Sequence, residues 1–512
     1  MTRSGAGVLF ADVVATSATV AGTRSRTAKR GALEELLRRL RPDEIAPVVA
    51  WLSGELLQGR VGIGWRTLAA AEAPPSESPQ ITVAELDSAL TTLANTTGSG
   101  SVAARRDVLG GVLAQCTAPE QRFLVAILGG ELRQGALEGV MTDAIAAASE
   151  RPVEHVRRAF MLSGRLPETA VAALTGGSDA LAQLSLVVGR PVRPMLASPA
   201  ESLPAALGEL GERVSVEYKL DGARIQVHRD GDDVAVFTRT LRDITAQVPD
   251  LVRVARELPC RSVVLDGETL ALTDAGRPRP FQETMSRFGA TSTRELLLHP
   301  YFFDCLHLDG DVLVDAPLGD RLGALSVAAD AHRIPGVIAP ASDLAEAHLG
   351  DAIAHGHEGV MVKALGSPYA AGRRGRAWQK IKPVHTLDLV VLGAEWGYGR
   401  RTGWLSNLHL GARDPDGGAP IMVGKTFKGL TDALLRWQTD EFPRHESGRD
   451  EHTVYLRPEI VVEIELDGVQ VSSRYPGGVA LRFARVLRYR PDKTAVDADT
   501  IDAVRALLPG GS

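Results

Sequence analysis

Up to about residue 190 the apolar positions recur at helical spacing in an Ala- and Leu-rich background. The stretch Ala32-Leu33-Glu34-Glu35-Leu36-Leu37-Arg38-Arg39-Leu40 places leucines at i, i+3, i+4 and i+7, the stripe of a helix with one buried face. Prolines in Arg190-Pro191-Val192-Arg193-Pro194-Met195 end that pattern. Beyond them the period falls to two, and Arg224 to His228, Val234 to Phe237 and Val263 to Leu270 are predicted strands with helices between. From Leu387-Asp388-Leu389-Val390-Val391-Leu392 to about Arg490 strands dominate, Val461 to Leu466 among them, separated by turns such as Asp414-Pro415-Asp416-Gly417-Gly418. About 120 residues of short strands predict a small barrel. The expected organisation is multidomain: an all-α domain over 1–190, an α+β domain with antiparallel sheets over 191–387, and an all-β barrel over 388–512.

The helical segment repeats itself without gaps at an offset of 76 residues, pairing Gly22 with Gly98, Ser25 with Ser101, Arg30 with Arg106, Leu33 with Leu109 and Glu44 with Glu120. The same register pairs Gly54-Glu55-Leu56 with Gly130-Glu131-Leu132 and Gln58-Gly59 with Gln134-Gly135. Ala73-Pro74-Pro75-Ser76-Glu77-Ser78-Pro79-Gln80 cannot continue a helix and forms the linker. Each copy carries small residues before basic ones: Thr23, Ser25, Lys29 and Arg30, then Ser99, Ser101, Arg105 and Arg106. Such a helix start could grip two phosphates of a nucleic-acid backbone, or it could be simple capping beside a solvated basic face.

Composition narrows the classes. At 512 residues the chain exceeds one core, and 44% hydrophobic with 23% charged residues is ordinary for a globular protein. The net charge of -6 means that nucleic-acid contact has to come from local patches. Cys116, Cys260 and Cys305 have no metal-ligand spacing and suggest no disulfide framework, as expected in a reducing cytoplasm. No apolar run approaches a membrane span, so no membrane partner is expected.

Lys219 carries the most pointed chemistry. It follows the alternating run Val214-Ser215-Val216 within Glu217-Tyr218-Lys219-Leu220-Asp221-Gly222-Ala223-Arg224. A strand that ends on a lysine before a tight Asp-Gly turn suits a covalent nucleotidyl-lysine, provided that the amine loses its proton. Nearby cations, Arg224, Lys380 and Lys382, are expected to favour that loss. Further along, Leu265-Asp266-Gly267-Glu268 ends a strand on an acid, and Phe302-Phe303-Asp304 offers an aromatic face for a base. Glu358-Gly359-Val360-Met361-Val362-Lys363 adds an acid and a lysine, and Trp378-Gln379-Lys380-Ile381-Lys382 sets two lysines on one strand face. Arg482, Arg485, Arg488, Arg490 and Lys493 make a basic tail. Transfer from a triphosphate needs such cations to neutralise the leaving pyrophosphate, and Mg²⁺ would need oxygen ligands such as Glu268 and Glu358.

In this order the motifs resemble those of the ATP-dependent DNA ligases of the covalent nucleotidyltransferase superfamily, over nearly the whole chain. They run from Lys219 to Gly222, through Glu268, Phe303-Asp304, Glu358 to Lys363 and Lys380 to Lys382, to Arg482 to Lys493, with Ala484 where the family often has proline. The segment Gly130-Glu131-Leu132-Arg133-Gln134-Gly135 resembles the DNA-binding domain of the larger members. The resemblance implies an adenylation domain at 191–387 and an OB-fold at 388–512. It also implies ATP and Mg²⁺ as substrate and cofactor, and nicked double-stranded DNA sealed through Lys219-AMP. By the same resemblance Glu217 contacts the adenine or ribose edge, and Arg224, Arg239 and Arg374 contact nucleotide or nick phosphates. Phe303 stacks on adenine, Glu268 holds the ribose or metal, Lys380 takes the α-phosphate and Lys382 assists. A clamp closing on DNA, hinged near Asp388, suggests a monomer serving replication, repair or recombination. An RNA ligase, a GTP-using capping enzyme, or a non-enzymatic nick-binding protein remain the alternatives. An NAD-dependent ligase would call for a cysteine zinc site.

Overall fold

The computed structural model describes residues 7–59, 61–64, 67–68, 73–132, 137–177, 179–273, 276–279, 297–371 and 374–508. Arg133, Gln134 and Gly135 lie outside the described residues, as does the side chain of Arg374.

The N-terminal region is helical, running Phe10–Gly22, Arg26–Arg39, Pro42–Leu52, Val83–Asn95, Ser101–Gln115, Ala118–Leu128, Leu137–Ser149, Val153–Ser163 and Leu166–Thr175. Leu33, Leu36, Leu37 and Leu40 are all buried in one shared core, each contributing about 1.5–3 kcal/mol through removal of apolar surface from water. The helices Pro42–Leu52 and Ala118–Leu128 start and end at equivalent positions of the sequence repeat. In both copies the equivalent acid folds back on the helix start. Glu44 accepts from the backbone N–H of Arg41 at 2.9 Å, and Glu120 from that of Thr117 at 2.7 Å. A capping box of this kind satisfies a helix-start N–H that would otherwise be buried without a partner.

The middle region contains two sheets. In chain order its strands are β1 Leu196–Pro199, β2 Val214–Lys219, β3 Ala223–Asp230, β4 Asp233–Thr238, β5 Ser262–Ala271, β6 Leu298–Leu308, β7 Asp311–Val312, β8 Gly336–Ile338, β9 Gly359–Ala364 and β10 Arg374–Ile381. One sheet has the order β1-β10-β9-β2-β8 and the other β4-β3-β5-β6-β7. All their ladders are antiparallel except β1 with β10. Met161 and Leu162, on the N-terminal side of residue 190, are buried with Phe303, Tyr369 and Trp378. The helix Val153–Ser163 therefore shares its core with the middle region, an arrangement that the proline punctuation at 191 did not indicate.

The C-terminal region is β-rich and antiparallel: β11 His385–Trp396, β12 Leu405–Ala412, β13 Ile421–Thr426, β14 Glu446–Arg449, β15 Thr453–Leu456, β16 Val461–Leu466, β17 Gly468–Val471, β18 Val479–Arg482 and β19 Arg485–Tyr489. The long β11 pairs with β12 and β15 through its second half and with β16 through its first, so the sheet wraps around a core of its own.

Candidate active site

Lys219 is the last residue of β2, and Leu220 to Gly222 carry the chain directly into β3 of the other sheet. The lysine thus stands where the backbone crosses between two sheets, at the edge of a cavity of about 670 Å³. The crossing is tight: a Cβ on Gly222 would lie 2.5 Å from the carbonyl oxygen of Thr269 in β5. Opposite Lys219 in the ladder sits Gly359, with φ +139 and room for no Cβ because the Ile381 carbonyl would be 2.2 Å away. Antiparallel register then sets Glu217, Met361 and Lys380 side by side across three strands, and Lys363 between Ser215 and Trp378. Across the cavity, Arg224 of β3 pairs with Glu268 of β5.

The immediate partner of the Lys219 ammonium is a carboxylate, not a cation. Its Nζ contacts Glu358 Oε2, and Lys382 Nζ donates to Glu358 Oε1 at 2.8 Å. Burial alone would raise the Glu358 carboxyl, but the two lysines hold it below its ordinary range. Arg224, expected as a cation near Lys219, is clamped. Its Nε and Nη2 donate to Asp266 at 3.0 and 2.6 Å, and its Nη1 to the Met195 carbonyl at 2.7 Å. The cation that the sequence set beside Lys219 thus has an acid of the neighbouring strand, Asp266, as its own partner. Glu217 is likewise engaged, contacting Lys363 and accepting from the Ser215 hydroxyl at 2.8 Å.

Phe303 lines the cavity, with Lys363 Nζ 4.3 Å from its ring centroid and Trp378 edge-on at 6.0 Å. Its neighbour Asp304 points away into a fully buried pair with Arg321, 2.7 Å between Nε and Oδ1. Arg239 and Lys380 also line the cavity, and Arg239 is exposed with no ion pair among the described residues. Burial pushes the Glu268 carboxyl up to about 8 despite the pull of Lys219 and Arg224. Arg242 and Lys363 also line the cavity, and Asp266 stands behind it through Arg224; the last two lie within the motif segments, whereas Arg242 lies in the loop after β4 without such a signal.

The C-terminal region closes over this site. Arg482, from β18, donates to Asp221 at 2.8 Å and comes within 3.9 Å of Glu358, while Asp467 lies 3.4 Å from Lys382. Asp388, the expected hinge, is held by Arg490 at 3.2 Å and Lys493 at 2.5 Å.

The basic residues of the helical repeat divide. Arg30 is exposed beside Glu34 at 4.0 Å and Arg106 beside Asp107 at 3.6 Å. Lys29 is half-buried near the start of Arg26–Arg39. Arg105 instead donates to the carbonyls of Leu93 at 3.3 Å and Gly62 at 3.2 Å, tying the end of one helix to the preceding loop.

No group of three or more acidic, His or Cys side chains that could cage a metal occurs among the described residues. Glu268 lines the cavity and Glu358 contacts Lys219 at its edge, a pair of carboxylates that suits a Mg²⁺ taking its other ligands from phosphates and water.

The sequence model described as "ATP dependent DNA ligase domain" matches residues 194–382, that for "DNA ligase N terminus" residues 70–146, and that for "ATP dependent DNA ligase C terminal region" residues 401–493. A "Probable DNA ligase" of Rhodococcus jostii is 73% identical over 98% of this chain and 100% of the relative's length. One of Nocardia farcinica is 64% identical over 98% and 100%. The solved structure titled "Pmar-Lig_PreS3" shares the fold at 17% identity, with a TM-score of 0.58 over 93% of this chain and 99% of that one. Three consecutive ligase regions and full-length relatives decide between the alternatives left by the motifs: this chain belongs to the ATP-dependent DNA ligase family.

Proposed function

We propose that the chain seals nicks in double-stranded DNA through an adenylate on Lys219. The supporting observation is the position of Lys219, at the crossing between two sheets and beside a cavity lined by Arg239, Lys380 and Phe303. In the first step Nζ, having given up its proton, forms a bond to the ATP α-phosphorus as the bond to the β-phosphate oxygen breaks and pyrophosphate leaves. Lys380 and Arg239 would neutralise the developing charge, Phe303 would stack on adenine, and Glu217 would contact the adenine or ribose edge; all four line the cavity. Arg374 is assigned to the phosphates on the sequence motif. In the second step a 5′-phosphate oxygen of the nick takes the AMP and the N–P bond breaks. In the third the 3′-hydroxyl attacks the 5′-phosphorus, releasing AMP as the strand closes.

Glu268 and Glu358 would hold Mg²⁺, which supplies charge neutralisation at the phosphates, and Lys382 assists by bonding Glu358. The region 1–190 is read as the DNA-binding domain, 191–387 as the adenylation domain and 388–512 as an OB-fold, acting as a monomer that rotates its barrel between steps. Lys29, Arg30 and Arg106 are the phosphate contacts of the helical repeat. The three cysteines are free thiols, in keeping with a reducing cytoplasm.

The test is incubation with α-³²P-ATP and Mg²⁺ without DNA, followed by a denaturing gel. A labelled band is expected for the wild type and lost in Lys219→Ala. A labelled Lys219→Ala protein would place the nucleophile elsewhere.

A further inference from the structure

We propose that Tyr369 is a positioning residue for adenylate transfer, acting through Arg224; this rests on the reading of the site given above. Tyr369 does not line the cavity. It lies between β9 and β10, 2% exposed, with its ring edge-on to Trp378 at 6.0 Å. Its hydroxyl donates to Asp266 Oδ2 at 2.5 Å and accepts from the Met195 N–H at 3.0 Å and from Arg224 Nη2 at 3.4 Å. A phenol offers one donor and two acceptor positions, and all three are in use. Burial and the neighbouring Asp266 raise its pKa well above the ordinary value, so the hydroxyl keeps the proton that it donates.

The same three groups surround the guanidinium. Asp266 takes Nε and one Nη2 hydrogen, Tyr369 the other, and the Met195 carbonyl one Nη1 hydrogen. One Nη1 hydrogen is left for the cavity that Arg224 lines. Tyr369 is itself held in place: its N–H donates to the Val314 carbonyl at 2.9 Å, and the next two N–H groups to Met195 Sδ at 3.4 Å and Met161 Sδ at 3.3 Å. The phenol therefore joins a fixed backbone segment to the carboxylate that orients the arginine. Its loss would free Asp266 and Arg224 to turn together, and a reacting group displaced by about 1 Å can cost on the order of a hundredfold in rate.

The experiment is single-turnover self-adenylation of the full chain, with thermal unfolding measured in parallel. Tyr369→Phe, which keeps the ring, is expected to slow label transfer at saturating ATP by about tenfold or more. Arg224→Lys keeps the charge but loses the fork. In that background Tyr369→Phe is expected to change the rate by less than about twofold, because the group it orients has gone. A wild-type rate for Tyr369→Phe, or a full multiplicative loss in the Arg224→Lys background, would overturn the proposal and leave Tyr369 as packing alone. Should Tyr369→Phe fail to fold, Tyr369→Met, whose flexible side chain refills the space without a hydroxyl, carries the test in the same two backgrounds: non-additive loss supports the proposal and additive loss overturns it. An unlabelled wild type would instead refute the nucleotidyl-lysine reading beneath it.

Discussion

Removing Arg482 should separate the first chemical step from the last. Its guanidinium is the main link between the C-terminal region and the Lys219 loop, 2.8 Å from Asp221, with the two side chains 24% and 29% exposed. A hydrogen bond between charged groups at such partial burial is worth about 1.5–2 kcal/mol, the lower part of the usual range. Arg482 also comes within 3.9 Å of Glu358, and a contact that does not involve it, Lys382 with Asp467 at 3.4 Å, has a partner 43% exposed; such a pair contributes less than about 1 kcal/mol. Because Asp221 stays partly hydrated after truncation, Arg482→Ala incurs no large penalty for a buried orphan charge. At 1.4 kcal/mol per tenfold, the closed arrangement should lose about tenfold to thirtyfold in population. Rapid-quench single-turnover assays read this directly. Self-adenylation should slow by about that factor, whereas sealing of a nick already carrying AMP should change by less than about threefold. Equal losses in both assays would show that Arg482 serves all of the chemistry, and no loss in either would show that the closed contact is not used.

Three further outcomes follow from the charges elsewhere. Glu395 is held down to about 2, against the cost of burial, by hydrogen bonds from Lys425, His409 and Asn407. A depressed carboxylate stabilises above its unfolded pKa and loses that contribution as pH falls through the folded one. Glu395→Gln should therefore lower the stability of the C-terminal region by about 1 kcal/mol at pH 7, after allowance for solvent screening, and by almost nothing near pH 2; an equal loss at both pH values in denaturant melts would refute this. In the helical repeat, neutralising Lys29, Arg30 and Arg106 should weaken nick binding and flatten its salt dependence with self-adenylation unchanged. Arg105→Ala should instead lower the melting temperature, since that guanidinium bonds backbone carbonyls; an unchanged salt slope for the triple variant would sink the phosphate grip.

What the sequence determined by itself is whatever neighbouring residues share: the leucine stripe from Leu33 to Leu40, the alternating start of β2, the apolar run that opens β5, the repeat that returns Glu44 as Glu120, and the order of the motifs from Lys219 to Lys493. Periodicity belongs to one element, and a stretch of chain carries it intact. Tertiary structure alone decided which charges meet. Lys219 meets Glu358, 139 residues away; Arg224 meets Asp266, 42 away; Arg482 meets Asp221, 261 away; and Tyr369 reaches Met195 across 174. Sequence placed Arg224 near the lysine as a cation and Arg105 among the phosphate contacts. Folding paired the first with an acid and gave the second two carbonyls, because a guanidinium drawn even partly out of water finds partners for its donors wherever the packing of sheets and helices supplies them.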